Sequence, residues 1–275
     1  MLFYSRMLIR RSLFLMGTVS SLLFSCTSDP APVPKGDTGS IRVEFDNVVG
    51  DQNLVLKGVK YYNQSGEDYV VTKFNYFVSN FRFYRTDGTV YTVPQDSSYF
   101  LVREDIRSSQ FVTIPGVPVG DYDHVEFMIG VDSLRNTMPL EKRKGVLDPG
   151  GSMMEDGMYW AWNSGYIFVK LEGISSHGNP VNDKFYYHIG LFGGYDARTV
   201  NNTRTVKVKF GNDIATVTTG NIPEVHLFAD VSKVFDGGST NLKISEFNSV
   251  MGGQPEKSQE IANNYQHMFT YDHVH

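Results

Sequence analysis

Apolar and polar side chains alternate at a period of two along most of this chain, and that period belongs to the half-buried β-strand. Ile41-Arg-Val-Glu-Phe45 shows it in five residues. The aromatic and β-branched run Tyr69–Tyr84 predicts a helical turn or bend followed by a strand. Asp87-Gly88 then reads as a hairpin turn into Thr89–Val93. Further strands are expected at Tyr99–Val102, Gln110–Ile114, His124–Val131, Tyr166–Gly173, Phe185–Phe192, Thr203–Phe210 and Val225–Phe228. Turn formers such as Gly193-Gly194 separate them. A 3.6-residue period surfaces only late: Ile261, Tyr265, Met268 and Phe269 form one stripe of a helix expected over Pro255–Phe269. A shorter helix is expected over Ile244–Met251, stopped by Gly252-Gly253. The pattern predicts an all-β fold, a single antiparallel β-sandwich-like domain over residues 41–275 with short C-terminal helices. The glycine-rich stretch 130–160 reads as a long ordered loop, a rarity in compact domains that is often functional.

The pattern changes character at the N-terminus. Arg6, Arg10 and Arg11 precede the apolar stretch Leu13–Phe24, which is too short to span a bilayer comfortably, so residues 1–25 read as a secretory signal peptide. Leu23-Phe24-Ser25-Cys26 resembles a bacterial lipobox, in which Cys26 is lipidated and becomes the N-terminus; a plain signal peptide with an incidental cysteine is the alternative. Cys26 is the one cysteine of the chain, and a lone thiol has no disulfide partner in an exported protein. Residues 26–40 carry three prolines and few bulky apolar side chains, the composition of a flexible tether. The expected location is the bacterial cell envelope, lipid-anchored on the periplasmic or cell-surface face of the outer membrane.

Charge narrows the partners. The chain has 25 basic and 30 acidic residues, and three of the arginines fall in the signal segment. With no basic stripe anywhere, nucleic-acid binding is not expected. No nucleophile elbow, phosphate loop, dinucleotide fingerprint or His-Glu-x-x-His helix is present, so the chain is not expected to be an enzyme.

The aromatic chemistry is concentrated. Both tryptophans fall in Gly157-Met-Tyr-Trp-Ala-Trp-Asn-Ser-Gly-Tyr166, and an extended backbone would put Trp160 and Trp162 on one face. The pair reads as a core plug, a ligand platform or a redox-active site. Among seven histidines, His188 and His226 lie within expected strands, and His273 and His275 stand two apart in a tail that also holds His267 upstream. Strand imidazoles can bind copper or zinc, whereas for any one of them a hydrogen-bonded structural role is the alternative. Met153, Met154 and Met158 read as packing. Asp132, Asp148 and Asp156 match no EF-hand spacing and read as caps and turns.

Several pieces in order resemble one family. They are Phe127-Met-Ile-Gly-Val-Asp132 with Asn136, Gly145-Val-Leu-Asp-Pro149, Gly157–Tyr166, Lys170-Leu-Glu-Gly173 and Tyr187-His-Ile-Gly190. Together they resemble the MbnP-like family of exported copper-binding β proteins. The resemblance implies copper as cofactor and a di-haem peroxidase-like enzyme as partner, with one tryptophan oxidised to kynurenine. It implies Trp160 or Trp162 as the oxidised residue and His188 as the best-placed ligand; with His226 added from the strand imidazoles, the expected metal-site residues are His188, His226, Trp162 and Trp160. A surface module that binds a protein or glycan, without metal, is the competing expectation.

Overall fold

The computed structural model describes residues 36–275 apart from 152–156 and 162–164. From the N-terminus come β1 (Thr38–Val49), β2 (Gln52–Asn53), β3 (Tyr61–Tyr62), β4 (Asp68–Arg85), β5 (Val90–Thr92) and β6 (Tyr99–Arg103). Next are β7 (Phe111–Pro118), β8 (Gly120–Ile129), the helical turn α1 (Ser133–Asn136), β9 (Tyr159–Trp160), β10 (Gly165–Tyr166), β11 (Val169–Ile174) and β12 (Lys184–Ile189). The order closes with β13 (Arg204–Lys209), β14 (Ala215–Val217), β15 (Glu224–Asp230), α2 (Ser232–Phe235), β16 (Ser249–Val250), α3 (Pro255–Tyr265) and β17 (Phe269–Val274). The protein is all-β with short helices, as the alternation predicts.

Two sheets share one core. The smaller runs β17-β15-β1, with β7 and β2 along the far side of β1. The larger runs β13-β8-β4-β11-β12-β16, with β14 on β8 and β3, β5 and β6 on β4. Ile41, Val43 and Phe45 of β1 and Val225 and Leu227 of β15 meet Phe74, Tyr76, Phe127, Leu171 and Tyr187 of the larger sheet in a single buried cluster. Phe45, Tyr76, Phe127 and Phe269 pack edge to face, with centroids 5.0–6.3 Å apart. Two pairings depart from the antiparallel expectation: β12 and β16 run parallel, and so do β1 and β15, with Glu44 opposite His226 and Asp46 opposite Phe228.

Two other expectations are corrected. The start of Tyr69–Tyr84 is not a helical turn, because β4 is one continuous strand of 18 residues. Its middle is buried on both faces, which is why it reads as a nearly unbroken apolar run. Phe74, Tyr76 and Val78 face the main core, while Phe77 enters a second cluster with Val131, Leu147, Met158, Tyr166, Phe168 and Phe192. Ile244–Met251 is not helical either. The buried Glu67 carboxylate accepts the amides of Ile244, at 2.6 Å, and Ser245, at 3.1 Å, and the Ser245 hydroxyl. Ser249–Val250 then pairs parallel to β12. These bonds fix the segment as a turn and strand in place of a helix.

Candidate functional site

The family-like pieces gather around one aromatic hairpin, β9–β10, which lies over the outer face of the larger sheet. Gly130, at φ 111°, leaves room for Phe168, whose ring would stand 2.8 Å from any Cβ there. Asp132 caps α1 by accepting the Arg135 amide at 3.2 Å. Its other oxygen accepts Asn80 Nδ2 at 3.1 Å, Gln95 Nε2 at 3.2 Å and the Tyr99 hydroxyl. Asn136 is the clamp of the loop. Its Nδ2 donates to the carbonyls of Val131 (2.7 Å) and Asp132 (3.0 Å), and its Oδ1 accepts the Tyr166 amide at 3.0 Å. Burial pushes the Tyr166 hydroxyl up to about 12, so it stays protonated and donates to the Leu147 carbonyl. The Arg143 guanidinium lies over the rings of Tyr159 and Tyr166, 5.3 Å from each centroid.

The loop is tied to the sheet beneath it. Lys170 on β11 stands opposite His188 on β12, so both project to one face, and Lys170 Nζ donates to the Gly157 carbonyl at 3.0 Å. Trp160 is half-buried against the second cluster, and its indole lies 2.9 Å from where a Cβ would sit on Gly190. Gly190 follows His188 by two residues, and a Cβ there would also lie 2.5 Å from the Tyr166 carbonyl oxygen, so glycine is what admits the hairpin. His188 Nε2 pairs with Glu172 Oε1 at 2.8 Å, and Lys170 Nζ is 3.7 Å from the same oxygen. The hydrogen bond to His188 holds the Glu172 carboxyl below its usual range against the opposing effect of burial, with the Lys170 charge assisting.

His226 stands elsewhere. Its strand neighbours Val225 and Leu227 face the shared core, as do Tyr187 and Ile189 beside His188. Period-two alternation therefore sends His188 and His226 to the outer faces of different sheets. The structure brings Trp160 and His188 to one face and does not bring His226 to it. Trp162 and Cys26 lie outside the described residues, as do Met153, Met154 and Asp156. Met158 is fully buried, the packing role expected for it.

The sequence model of the MbnP family matches residues 38–252. The chain belongs to the MbnP family. Among solved structures, it is similar to MbnP from Methylosinus trichosporium, at 18% identity and a TM-score of 0.51. The likeness covers 80% of this chain and 82% of that one, and at such low identity it shows the fold alone. No curated protein matches significantly. The MbnP-family match takes in the whole Trp160 hairpin and both strands beneath it, and it ends before β17.

Sequence reasoning named His188 but not its partners in the site. Glu172 and Lys170 were visible only as part of a family-like string, since nothing in one sequence tells that β11 and β12 would set them beside an imidazole. Gly165 stands opposite Trp160 and Tyr166 opposite Tyr159, while the expectation that Trp160 and Trp162 share a face falls on Trp162, outside the described residues.

Proposed function

We propose that this MbnP-family protein is an exported, non-enzymatic lipoprotein that binds a metal ion, copper first, for uptake or presentation. The observation that carries the reading is the placement of the Trp160 indole over Gly190, on the face that also bears His188 and Glu172. One imidazole and one carboxylate make an incomplete set for copper, and the nearby Lys170 ammonium opposes a cation. The residues fit the metal if a tryptophan is oxidised as the family resemblance implies. Kynurenine carries an aniline nitrogen and a ketone oxygen, both able to approach a metal, where indole offers neither. A di-haem peroxidase-like partner is then the expected source of oxidation, and lipidation at Cys26 the expected anchor.

The test is intact-mass measurement of the natively exported protein, with metal analysis on the same sample. A mass in which one tryptophan has lost a carbon and gained an oxygen, together with bound copper, is the expected result. Unmodified protein without copper would instead support a surface module that binds a protein or glycan.

A further inference from the structure

The outer face of the smaller sheet carries a different cluster. His226 of β15 lies directly opposite His273 of β17, and the next pairing is Leu227 with Tyr271. Asp272 is therefore one residue in excess, a β-bulge. In a regular strand Asp272 would face away from His273; the bulge turns both side chains toward His226. The result is three ligand atoms in a small triangle. His226 Nδ1 is 2.9 Å from Asp272 Oδ2 and 3.4 Å from His273 Nδ1, and His273 Nδ1 is 2.8 Å from Asp272 Oδ2. Ligands held about 2 Å from a zinc- or copper-sized ion stand about 3 Å from one another, so the triangle needs little rearrangement to accept one. Among the described residues, this is the group of histidine and carboxylate ligands whose atoms all fall within 4.8 Å.

The surroundings prepare the nitrogens. An imidazole that ligates through one nitrogen presents its other N–H to an acceptor, which fixes the tautomer. His273 Nε2 meets His275 Nε2 at 2.6 Å, which lets His273 keep its Nδ1 lone pair for the triangle. His226 Nε2 is buried without a hydrogen-bond partner, with the carboxylates of Asp46 and Glu44 at 3.4 Å and 3.9 Å supplying only a favourable field for a proton there. Without a cation the same Nδ1 atoms can carry protons and donate to Asp272 Oδ2, and an arriving ion would replace those protons. The carboxylates of Glu44, Asp46, Asp272 and Glu224 share this face with the guanidiniums of Arg107 and Arg42, so acid is in excess there and the local field attracts cations. The His226 side chain is 13% exposed, but those of Asp272 and His273 are 35% and 38% exposed, leaving a path for an ion.

We propose that His226, Asp272 and His273 form a second, preformed site for a divalent transition-metal ion, Cu(II) ahead of Zn(II), with His275 fixing the tautomer of His273. The order of metals follows the general preference of mixed nitrogen and oxygen sites. This site uses unmodified side chains and is independent of the Trp160 face. Asp272, His273 and His275 also lie beyond the residues matched to the family.

The experiment is titration of the purified exported protein, stripped of metal, with Cu(II), followed by electron paramagnetic resonance and thermal melts. The first equivalent is expected to show coupling to two imidazole nitrogens and to raise the melting temperature. His226→Ala and His273→Ala should each weaken binding at least tenfold. His275→Ala, acting through His273, should weaken it about tenfold. His124→Ala, on a distant strand, should leave it unchanged. A His226→Ala/His273→Ala protein that melts cooperatively yet binds Cu(II) as tightly as wild type overturns the proposal. So does a spectrum without nitrogen coupling, which leaves protonated histidines paired with Asp272 as the reason for the cluster. Loss of the signal in His188→Ala, with binding retained in His226→Ala, also overturns it while supporting copper at the Trp160 face.

Discussion

His226 and His273 face each other across the β15–β17 ladder with their Nδ1 atoms 3.4 Å apart, and the bulged Asp272 bridges both rings. Burial pushes the Asp272 carboxyl up, but the hydrogen bonds with His273 and His226 outweigh it and hold the group below 3.8. A depressed carboxyl contributes stability above its unfolded value and loses it as pH falls through the folded one. A carboxyl-carbon NMR titration of metal-free protein should therefore place Asp272 below 3.8, and His273→Ala should move it upward. An unmoved midpoint in that variant would show that the imidazole does not act on Asp272.

Glu67 is expected to be a stability determinant. Its carboxylate accepts Asn63 Nδ2 at 2.8 Å as well as the Ile244 and Ser245 groups. Burial raises its pKa, but the bonds from Ser245, Asn63 and Ile244 prevail and lower it below 4.5. Glu67→Gln should cost about 2–3 kcal/mol, the worth of hydrogen bonds to a buried charge. The wild type should lose this advantage as pH falls through the folded Glu67 value, so the two urea-unfolding curves converge in acid. Curves that stay parallel from neutral pH into acid would argue against an ionised Glu67.

Gly165 has no room for a side chain. Its φ is 66°, and a Cβ would lie 2.1 Å from Asn136 Oδ1, the atom that accepts the Tyr166 amide. Gly165→Ala should lower stability by about 2 kcal/mol or more, through backbone strain and loss of that clamp. For a domain of this size the melting temperature should drop by roughly 4–8 °C. Tryptophan fluorescence should shift in the same variant, because the hairpin holding Trp160 is what moves. A melting temperature equal to wild type would mean the hairpin is held by something other than Asn136.

Cys26→Ala should release the protein from membranes. Detergent-phase partitioning of cells expressing each form reads this directly: wild type in the detergent phase, the variant in the aqueous phase. Equal partitioning of both forms would restore the plain signal peptide as the better reading of residues 1–25.

Legibility in the sequence followed the range of the interactions involved. Strands whose faces alternate, such as β1 and β15, announced themselves because each residue's environment repeats every second position. The helix expected over Pro255–Phe269 did so by its stripe, although it stops at Tyr265 and Phe269 opens β17. Ile244–Met251 misled because its hydrogen bonds go to Glu67, 177 residues earlier in the chain. The site was legible to the same extent. His188 and Trp160 lie in recognisable strings, and the sheet puts them on one face. Asp272 gave no signal, since alternation assigns it to the opposite side from His273 and only a register slip against β15 reverses that.

The position of β1 has a mechanical consequence. It is paired along its length, with β15 on one side and β7 and β2 on the other, so it is an interior strand of its sheet. Any tension arriving along residues 26–37 enters the domain at Thr38 and loads both ladders in shear. The bonds from Thr38 to Val49 must then yield together rather than one at a time, as they would in a peeled edge. A domain tugged by its leading end is thereby gripped at an interior strand, and the strand that takes the load is the neighbour of the one bearing His226.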